Sequence, residues 1–351
     1  MTTDVRGLYI VREKVFSLLL VFCVVMVLVS CNSPVSGVRT ANQNPRACYR
    51  QFGVTLSGAE GVGTDYSRPT SDELQYYSSK GVKLIRLEVG WDKLQPALGQ
   101  PLHGDELQWV EKFVTQANQY GMQVDIDLHQ RSQYNDLNFG TGGIDPKSLV
   151  DFWRRFAGEL VKDHVPGICG FGIANEPNHD TEFLGEWSSQ ANAVISSISE
   201  VDHDHLIFVP EDNWDSSKHW SPEQASQIRD TPWHQVIFEA HSYWDKGGSG
   251  DYNPDIPPPD DQAANNVVVN NLSPFINWCK KTSSRCFVGE FGVPSDGNWL
   301  NALNYALLYM EHKNVFGAYW AGGPGYNDSL SIEPVNGRDS AQMHVLEKYL
   351  P

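Results

Sequence analysis

The sequence predicts a single (β/α)8 barrel, an α/β fold, on three observations. Eight short apolar runs alternate with helical patterns from about residue 51 onward, and strands interleaved with helices read as βαβ units of one parallel sheet. Links from a helix to the next strand are short, as at Lys80–Lys83 and Tyr120–Met122, whereas several links from strand to helix are long. Almost every distinctive polar residue falls at the C-terminal end of an apolar run, the rim where such barrels carry function. A chain of 351 residues accommodates one barrel of roughly 250 residues with long loops, and a sizeable core.

The strands are expected at 51–56, 83–88, 122–128, 168–174, 205–209, 236–240, 286–289 and 315–320. The first helix, 72–80, opens on a capping-box pair, Thr70 with Glu73, and stops at Gly81. The second spans 105–119. Asp145-Pro146 opens the third, in which Leu149, Trp153, Phe156 and Leu160 recur on one face. Others are expected near 182–200, 262–280, 297–312 and 339–349. The fifth has only 221–229 as a candidate, where Trp, Ser and Pro predict a short or irregular element. Loops rich in Gly, Pro, Asp and aromatics lie at 130–145, 210–220, 242–261 and 321–338, as loops over a site would.

Residues 1–31 have the layout of a lipoprotein signal. Arg12 and Lys14 precede an uninterrupted apolar stretch from Val15 to Val29, short of the roughly 20 residues that span a bilayer. Leu28-Val29-Ser30-Cys31 resembles a bacterial lipobox, which implies cleavage and lipidation of Cys31. Residues 32–47, rich in Ser, Asn, Pro and Thr, read as a flexible tether, leaving 48–351 as the barrel. The expected location is the cell envelope, at the outer membrane or cell surface, with the lipid as the only membrane contact. In an exported chain, Cys279 and Cys286, flanking a short turn, form the expected disulfide. Cys48 and Cys169 would pair only if the N-terminal segment ran beneath the barrel floor, and the sequence gives little reason to expect that.

The formal charge is −17, and −18 once residues 1–30 with their three basic and two acidic side chains are removed. Such a balance disfavours nucleic acids and anionic membrane surfaces as partners. A neutral ligand and a monomer are expected.

Two glutamates close short apolar runs: Glu176 in Asn175-Glu176-Pro177 and Glu290 in Gly289-Glu290-Phe291-Gly292. Half-desolvated carboxyls at strand ends can be tuned for proton transfer or nucleophilic attack. A facing pair suits cleavage of an acetal, which needs a proton for the leaving oxygen and electron density at the developing oxocarbenium. Glu176 is the expected acid and Glu290 the nucleophile, about 5 to 5.5 Å apart for a retaining reaction. Arg86 would keep Glu290 ionised, and Asn175 would bond a sugar hydroxyl. Glu239, His241 and Tyr243 share one side of an extended segment, with Glu239 a supporting carboxylate below the rim. His129 and Trp320 lie at two further strand ends. Taken singly, Arg86, His129 and Trp320 are as readily a core ion pair, a buried histidine and simple packing. Glu88 and Glu211 are expected to be solvated or ion-paired loop acids.

Aromatic residues crowd the same rim: Trp91, Tyr134, Trp187, Trp214, Trp220, Trp244, Tyr252, Trp299 and Tyr326. Flat rings pack against pyranose faces, so Trp320, Trp91, Tyr134, Trp214 and Trp244 are candidate sugar platforms. No metal or cofactor is expected, because the paired histidines of a metal-dependent barrel hydrolase are missing from 51–58.

From Gly53 to Leu350 the chain resembles glycoside hydrolase family 5, in particular its endoglucanases. The resemblance rests on Ile85-Arg86-Leu87 with Trp91 and Leu94-Gln95-Pro96, Asn175-Glu176-Pro177, Phe238-Glu239-Ala240-His241 with Tyr243, Gly289-Glu290-Phe291-Gly292, and Tyr319-Trp320. It implies an eight-stranded barrel, Glu176 as acid/base and Glu290 as nucleophile. It also implies Tyr243 bonded to the nucleophile, and Arg86, His129, Asn175, His241 and Trp320 around the cleaved sugar. Two departures lie near the groove: Glu88-Val89-Gly90 stands where the family tends to have Pro-Phe-Arg, and His129-Gln130 replaces His-Asn. The implied activity is endo-β-1,4-glucanase on a neutral β-linked polysaccharide or oligosaccharide. Mannan, xyloglucan and other β-glycans are the nearest alternatives, and a catalytically silent glycan-binding lipoprotein is the rival of a different class.

Overall fold

The computed structural model describes residues 45–351, apart from residues 62–65, 131–132, 136, 139–143, 178–186, 256–259 and 325–327. The expected signal, Cys31 and most of the tether lie outside the described residues, as does Tyr326. The barrel strands are β1 (Gly53–Leu56), β2 (Leu84–Val89), β3 (Gln123–Leu128), β6 (Ile168–Gly172), β7 (Leu206–Pro210), β8 (Val236–His241), β9 (Cys286–Phe291) and β10 (Phe316–Gly322). A two-stranded ribbon, β4 (Gln133–Tyr134) and β5 (Leu137–Asn138), decorates the loop after β3. All eight barrel strands pair in parallel, and β1 closes the ring against β10. The predicted architecture is therefore the observed one.

The helices follow local chemistry. Thr70 and Glu73 form the reciprocal capping box of the helix Ser71–Ser79. In the helix Lys147–Lys162, Leu149, Trp153, Phe156 and Leu160 are buried against the sheet, and Asp145 Oδ1 accepts the N–H of Lys147 at 2.9 Å. The weak fifth helix is a single turn, Pro222–Ala225, preceded by the 3-10 turn Ser217–His219. A four-residue helix, Trp91–Leu94, was not expected.

Both disulfides are formed, Cys279–Cys286 and Cys48–Cys169. The second corrects the sequence expectation. The 3-10 turn Pro45–Ala47 lies at the floor of the barrel, where Arg46 donates to the carbonyls of Trp233 and His203 at 2.7 and 2.8 Å. Cys48 and Tyr49 then pack with Leu84, Cys169, Leu206, Phe208, Ile237, Phe287 and Ala318 into a separate apolar layer. Residues 45–49 thus act as a plug, and the burial of Cys48 within it brings the two cysteines to a Cα separation of 5.8 Å.

Candidate active site

The polar residues of the strand ends converge at the C-terminal mouth of the barrel. Arg86, in the middle of β2, is fully buried and central. Its Nη1 donates to Glu290 Oε1 at 3.0 Å and its Nη2 to Asn175 Oδ1 at 3.1 Å. Asp127 lies 3.0 Å, Glu239 3.2 Å and Glu88 3.5 Å from the same guanidinium. Burial works against a buried cation, but Asp127, Glu239, Glu290 and Glu88 outweigh it and hold Arg86 firmly charged.

Glu290 sits in β9 beside His241 of β8, with which it is in register. The Tyr243 hydroxyl donates to Glu290 Oε2 at 2.8 Å, so both of its oxygens are fixed by donors. His241 Nδ1 stands 3.1 Å from Glu176 Oε1 and 3.4 Å from Glu290 Oε2. Carboxylate oxygens of Glu176 and Glu290 and the His241 nitrogen all lie within 4.8 Å of one another. The two glutamates therefore face each other across one opening. Burial disfavours the His241 cation, yet the nearby Glu290, Glu176, Glu239 and Asp215 raise it well above the ordinary imidazole value.

Glu176 lies four residues beyond the end of β6, at φ +42°. Asp215 braces it: Oδ2 accepts the Glu176 N–H at 3.2 Å and Oδ1 accepts that of Glu211 at 2.7 Å. Trp214 N–H, donating to the Pro177 carbonyl at 2.9 Å, ties the same two loops. Glycine is required beneath the site at Gly289, where a Cβ would fall 1.8 Å from Glu239 Oε1.

On the β2 and β3 side, Nδ1 of His129 is 3.0 Å from Asp127 and 3.1 Å from Glu88. Burial opposes its charge, but those carboxylates raise it to about 9. Of the two readings of Glu88, the ion-paired one holds, with Arg86 and His129 as partners, and the solvated one does not. Glu88 is wholly buried, and burial pushes its carboxyl up to about 8. Glu211 is also buried, and its carboxyl is pushed up to about 9. Asp125, Asp127 and Asp215 are further buried carboxyls that the sequence reading missed. Asp125, Asp127 and His129 alternate along β3 as Glu239, His241 and Tyr243 do along β8, so the same period-two signal could have found the first two.

The aromatic candidates divide. Trp214 is 41 % exposed and lines a cavity of about 500 Å3 beside Glu176, together with His241, Ser242, Tyr243 and Asn271. Trp320 is partly exposed and meets Tyr243 edge to face at 6.2 Å between ring centroids. Trp91 and Trp244 are corrections, being 0 % and 1 % exposed and unable to offer a ring to a sugar. Trp91 packs on Tyr134 and Phe152 and donates to Gln95. Trp244 stacks on Phe291 and donates to Ser242. Tyr134 is likewise buried, its hydroxyl spent on the Gln95 carbonyl.

Three clusters among the described residues have the spacing to ligate a cation: Glu88/Asp127/His129, Glu176/His241/Glu290 and Asp339/His344/Glu347. In the first two the neighbouring carboxylates raise the histidine, so a cation there would have to displace a proton. In the third, Asp339 is paired with Lys80.

A closed barrel carrying two opposed glutamates, an arginine anchor and a tyrosine donor at its mouth defines an O-glycosyl hydrolase. The chain belongs to the cellulase family, glycosyl hydrolase family 5, whose model matches residues 42–325. Among solved structures it is similar to the Pseudomonas stutzeri endoglucanase Cel5A in complex with cellobiose, at 32 % identity and a TM-score of 0.79, covering 86 % of this chain and 92 % of that one. It is similar also to XacCel5A in complex with cellopentaose, at 28 % identity and a TM-score of 0.77, covering 86 % and 99 %. A curated relative, the manganese dependent endoglucanase Eg5A of Phanerodontia chrysosporium, is 25 % identical over 297 residues, 82 % of this chain and 72 % of the relative.

Proposed function

We infer that the protein is a retaining endo-β-1,4-glucanase that cleaves internal bonds of cellulose-type glucans by double displacement. The observation that carries this reading is the approach of Glu176 and Glu290 oxygens to within 4.8 Å, which fits the retaining spacing of about 5 to 5.5 Å better than the roughly 6.5 to 9.5 Å of an inverting pair. Glu290, its charge anchored by Arg86 and Tyr243, attacks the anomeric carbon as the glycosidic C–O bond breaks, and Glu176 gives its proton to the leaving oxygen. Glu176 then takes a proton from water, whose oxygen displaces Glu290 and restores the carboxylate. His241, charged and between the two, steadies the carboxylate form of each in turn. Asn175, held by Arg86, is placed to bond a hydroxyl of the cleaved sugar.

Action within a chain is supported by space beyond the cleavage point. The cavity beside Glu176 adjoins a second of about 400 Å3, the two sharing Gly247, Ser249 and Asp251. The cellobiose and cellopentaose complexes of the similar endoglucanases support a β-glucan ligand. Export and anchoring through a lipid on Cys31 are part of the same proposal, supported by the apolar run Val15–Val29 and the residues before Cys31. The reaction needs no metal in this reading.

The deciding experiment follows products by NMR on a panel of cellulose-derived oligomers, mixed-linkage glucan, xyloglucan and mannan. Release of the β-anomer first, from internal bonds of β-1,4-glucan, is expected. E290Q should lose turnover by at least about 10³-fold while still binding. Release of the α-anomer first overturns the mechanism. Preference for mannan or xyloglucan reassigns the substrate, and binding without turnover on the whole panel favours a silent glycan-binding protein. Activity that disappears with chelator and returns with manganese overturns the metal-free reading.

A further inference from the structure

We propose that Glu88 is a positioning residue that sets the Trp320 indole and the His129 ring for the sugar on the Glu290 side of the cleaved bond. The proposal rests on reading the groove as a glycan site.

Glu88 stands at the end of β2, where the chain departs from its family's usual residues. A carboxyl there is expensive, since burial without partners costs several kcal/mol. Its partners show what it is for. Oε1 accepts the Trp320 Nε1–H at 2.9 Å and lies 3.1 Å from His129 Nδ1, closer than the 3.5 Å to Arg86 Nη1. Its shortest contacts are therefore to two groups at the mouth rather than to the central arginine. The bond to Trp320 joins β2 to β10, which are not neighbours in the sheet because β1 lies between them. The ladders of β1 with both neighbours set the spacing of β2 and β10, and the Glu88–Trp320 bond across it sets the orientation of the indole.

Glu88 itself is 0 % exposed and cannot touch a sugar. It acts through the two rings. Trp320 is held at its Nε1–H edge by Glu88 and across its ring by Tyr243, which fixes the plane a pyranose would stack on. With Nδ1 of His129 committed to Glu88 and Asp127, Nε2 is the ring nitrogen left for a sugar hydroxyl. A structural ion pair with Arg86 alone would not require this arrangement, because Asp127, Glu239 and Glu290 already surround that cation.

The test compares E88A, E88Q, W320F and the double variants with the unmodified protein on cellopentaose, with thermal melting recorded for each. E88A should raise KM about tenfold with kcat within about threefold. E88Q keeps an acceptor for the indole and should recover most of that loss. In the W320F background, which lacks the indole donor, replacing Glu88 should cost only the part carried by His129 and so clearly less than E88A alone, so the effects are not additive. An unchanged KM in E88A, or fully additive effects in the cycle, overturns the assignment. Should E88A fail to fold, E88M, which fills the space without offering an acceptor, takes its place in the cycle with W320F. If the unmodified protein cleaves nothing, the hydrolase reading fails separately, and the same cycle is then scored by calorimetric affinity for cellopentaose, with an unchanged Kd overturning the role of Glu88.

Discussion

Asp215 Oδ2 accepts the backbone N–H of Glu176 at 3.2 Å, so the acid/base candidate is held from the loop of a neighbouring strand. Glu176 needs such a hold because it lies in the left-handed region, φ +42°, which non-glycine side chains rarely adopt. Asn213, Trp214 and Asp215 are also left-handed, at φ +80°, +60° and +54°, so the bracing loop is itself wound to deliver this acceptor. Replacing Asp215 with Ala should lower kcat about 10- to 100-fold with KM little changed, since displacement of a proton donor by about 1 Å has effects of that size. D215N keeps one of the two acceptor oxygens, enough to hold Glu176 at the expense of the Glu211 N–H, and should lose less kcat than D215A. Steady-state kinetics on a soluble β-glucan separate the two outcomes, and equal losses in kcat and stability for both variants would reduce Asp215 to a packing role.

Glu211 makes stability depend on pH. Burial pushes its carboxyl up to about 9, against the ordinary 4.5. Between those values the unfolded chain is ionised there while the folded chain keeps its proton, so stability falls as pH rises through the window. Glu88, pushed up to about 8, works in the same direction. His129, raised to about 9, contributes stability that is full below its ordinary value of 6.5 and lost as pH climbs to about 9. Glu88 and His129 face each other and titrate as one pair, so they count once beside Glu211, and both contributions predict a melting temperature that declines from pH 6 to pH 9. Glu211 is away from the glutamate pair, and E211Q keeps an acceptor for the Ser221 N–H, now 3.0 Å away. That variant should be more stable than the parent by on the order of 1 to 3 kcal/mol at pH 8 and show a flatter profile. A steeper profile would contradict the assignment.

Much of this was legible in the sequence because barrels concentrate chemistry at strand ends. Glu176, Glu290, Asn175, His241 and Tyr243 each follow or close an apolar run, Arg86 interrupts one, and the structure brings them together. Burial was less legible. Trp91 and Trp244 are as aromatic as Trp214, and nothing local shows that a one-turn helix folds Trp91 inward against Phe152 or that Trp244 is trapped over Phe291. Glu88 reads as a loop acid because its partners, Trp320 and His129, are far away in sequence. The N-terminal plug was hidden for the same reason, since pairing Cys48 with Cys169 depends on an irregular segment filling the barrel floor.

That plug predicts unequal disulfides. Cys48–Cys169 closes a loop of 121 residues and Cys279–Cys286 one of 7. Loop-closure entropy assigns about 5 kcal/mol to the longer and about 2.5 kcal/mol to the shorter. Replacing Cys48 and Cys169 together with Ala should therefore lower the denaturation free energy about 2 kcal/mol more than replacing Cys279 and Cys286, as read from urea midpoints. The reverse order would mean that the plug detaches without consequence for the barrel.

Trp214 should act on substrate rather than on the fold. It is the exposed tryptophan of the cavity that Glu176 lines, and with Glu176 as the proposed proton donor that cavity is where the proposed function puts the leaving group, whose apolar sugar face can be buried on the ring. W214A should raise KM for long β-glucans about 3- to 10-fold while leaving turnover of a short aryl glycoside, whose leaving group does not reach that ring, within about twofold. Trp91→Ala should do the opposite, lowering the melting temperature sharply because truncating a fully buried tryptophan costs about 3 to 5 kcal/mol. If W214A and W91A had the same signature, Trp214 would be packing as well, and the leaving-group side of the groove would have to be placed elsewhere.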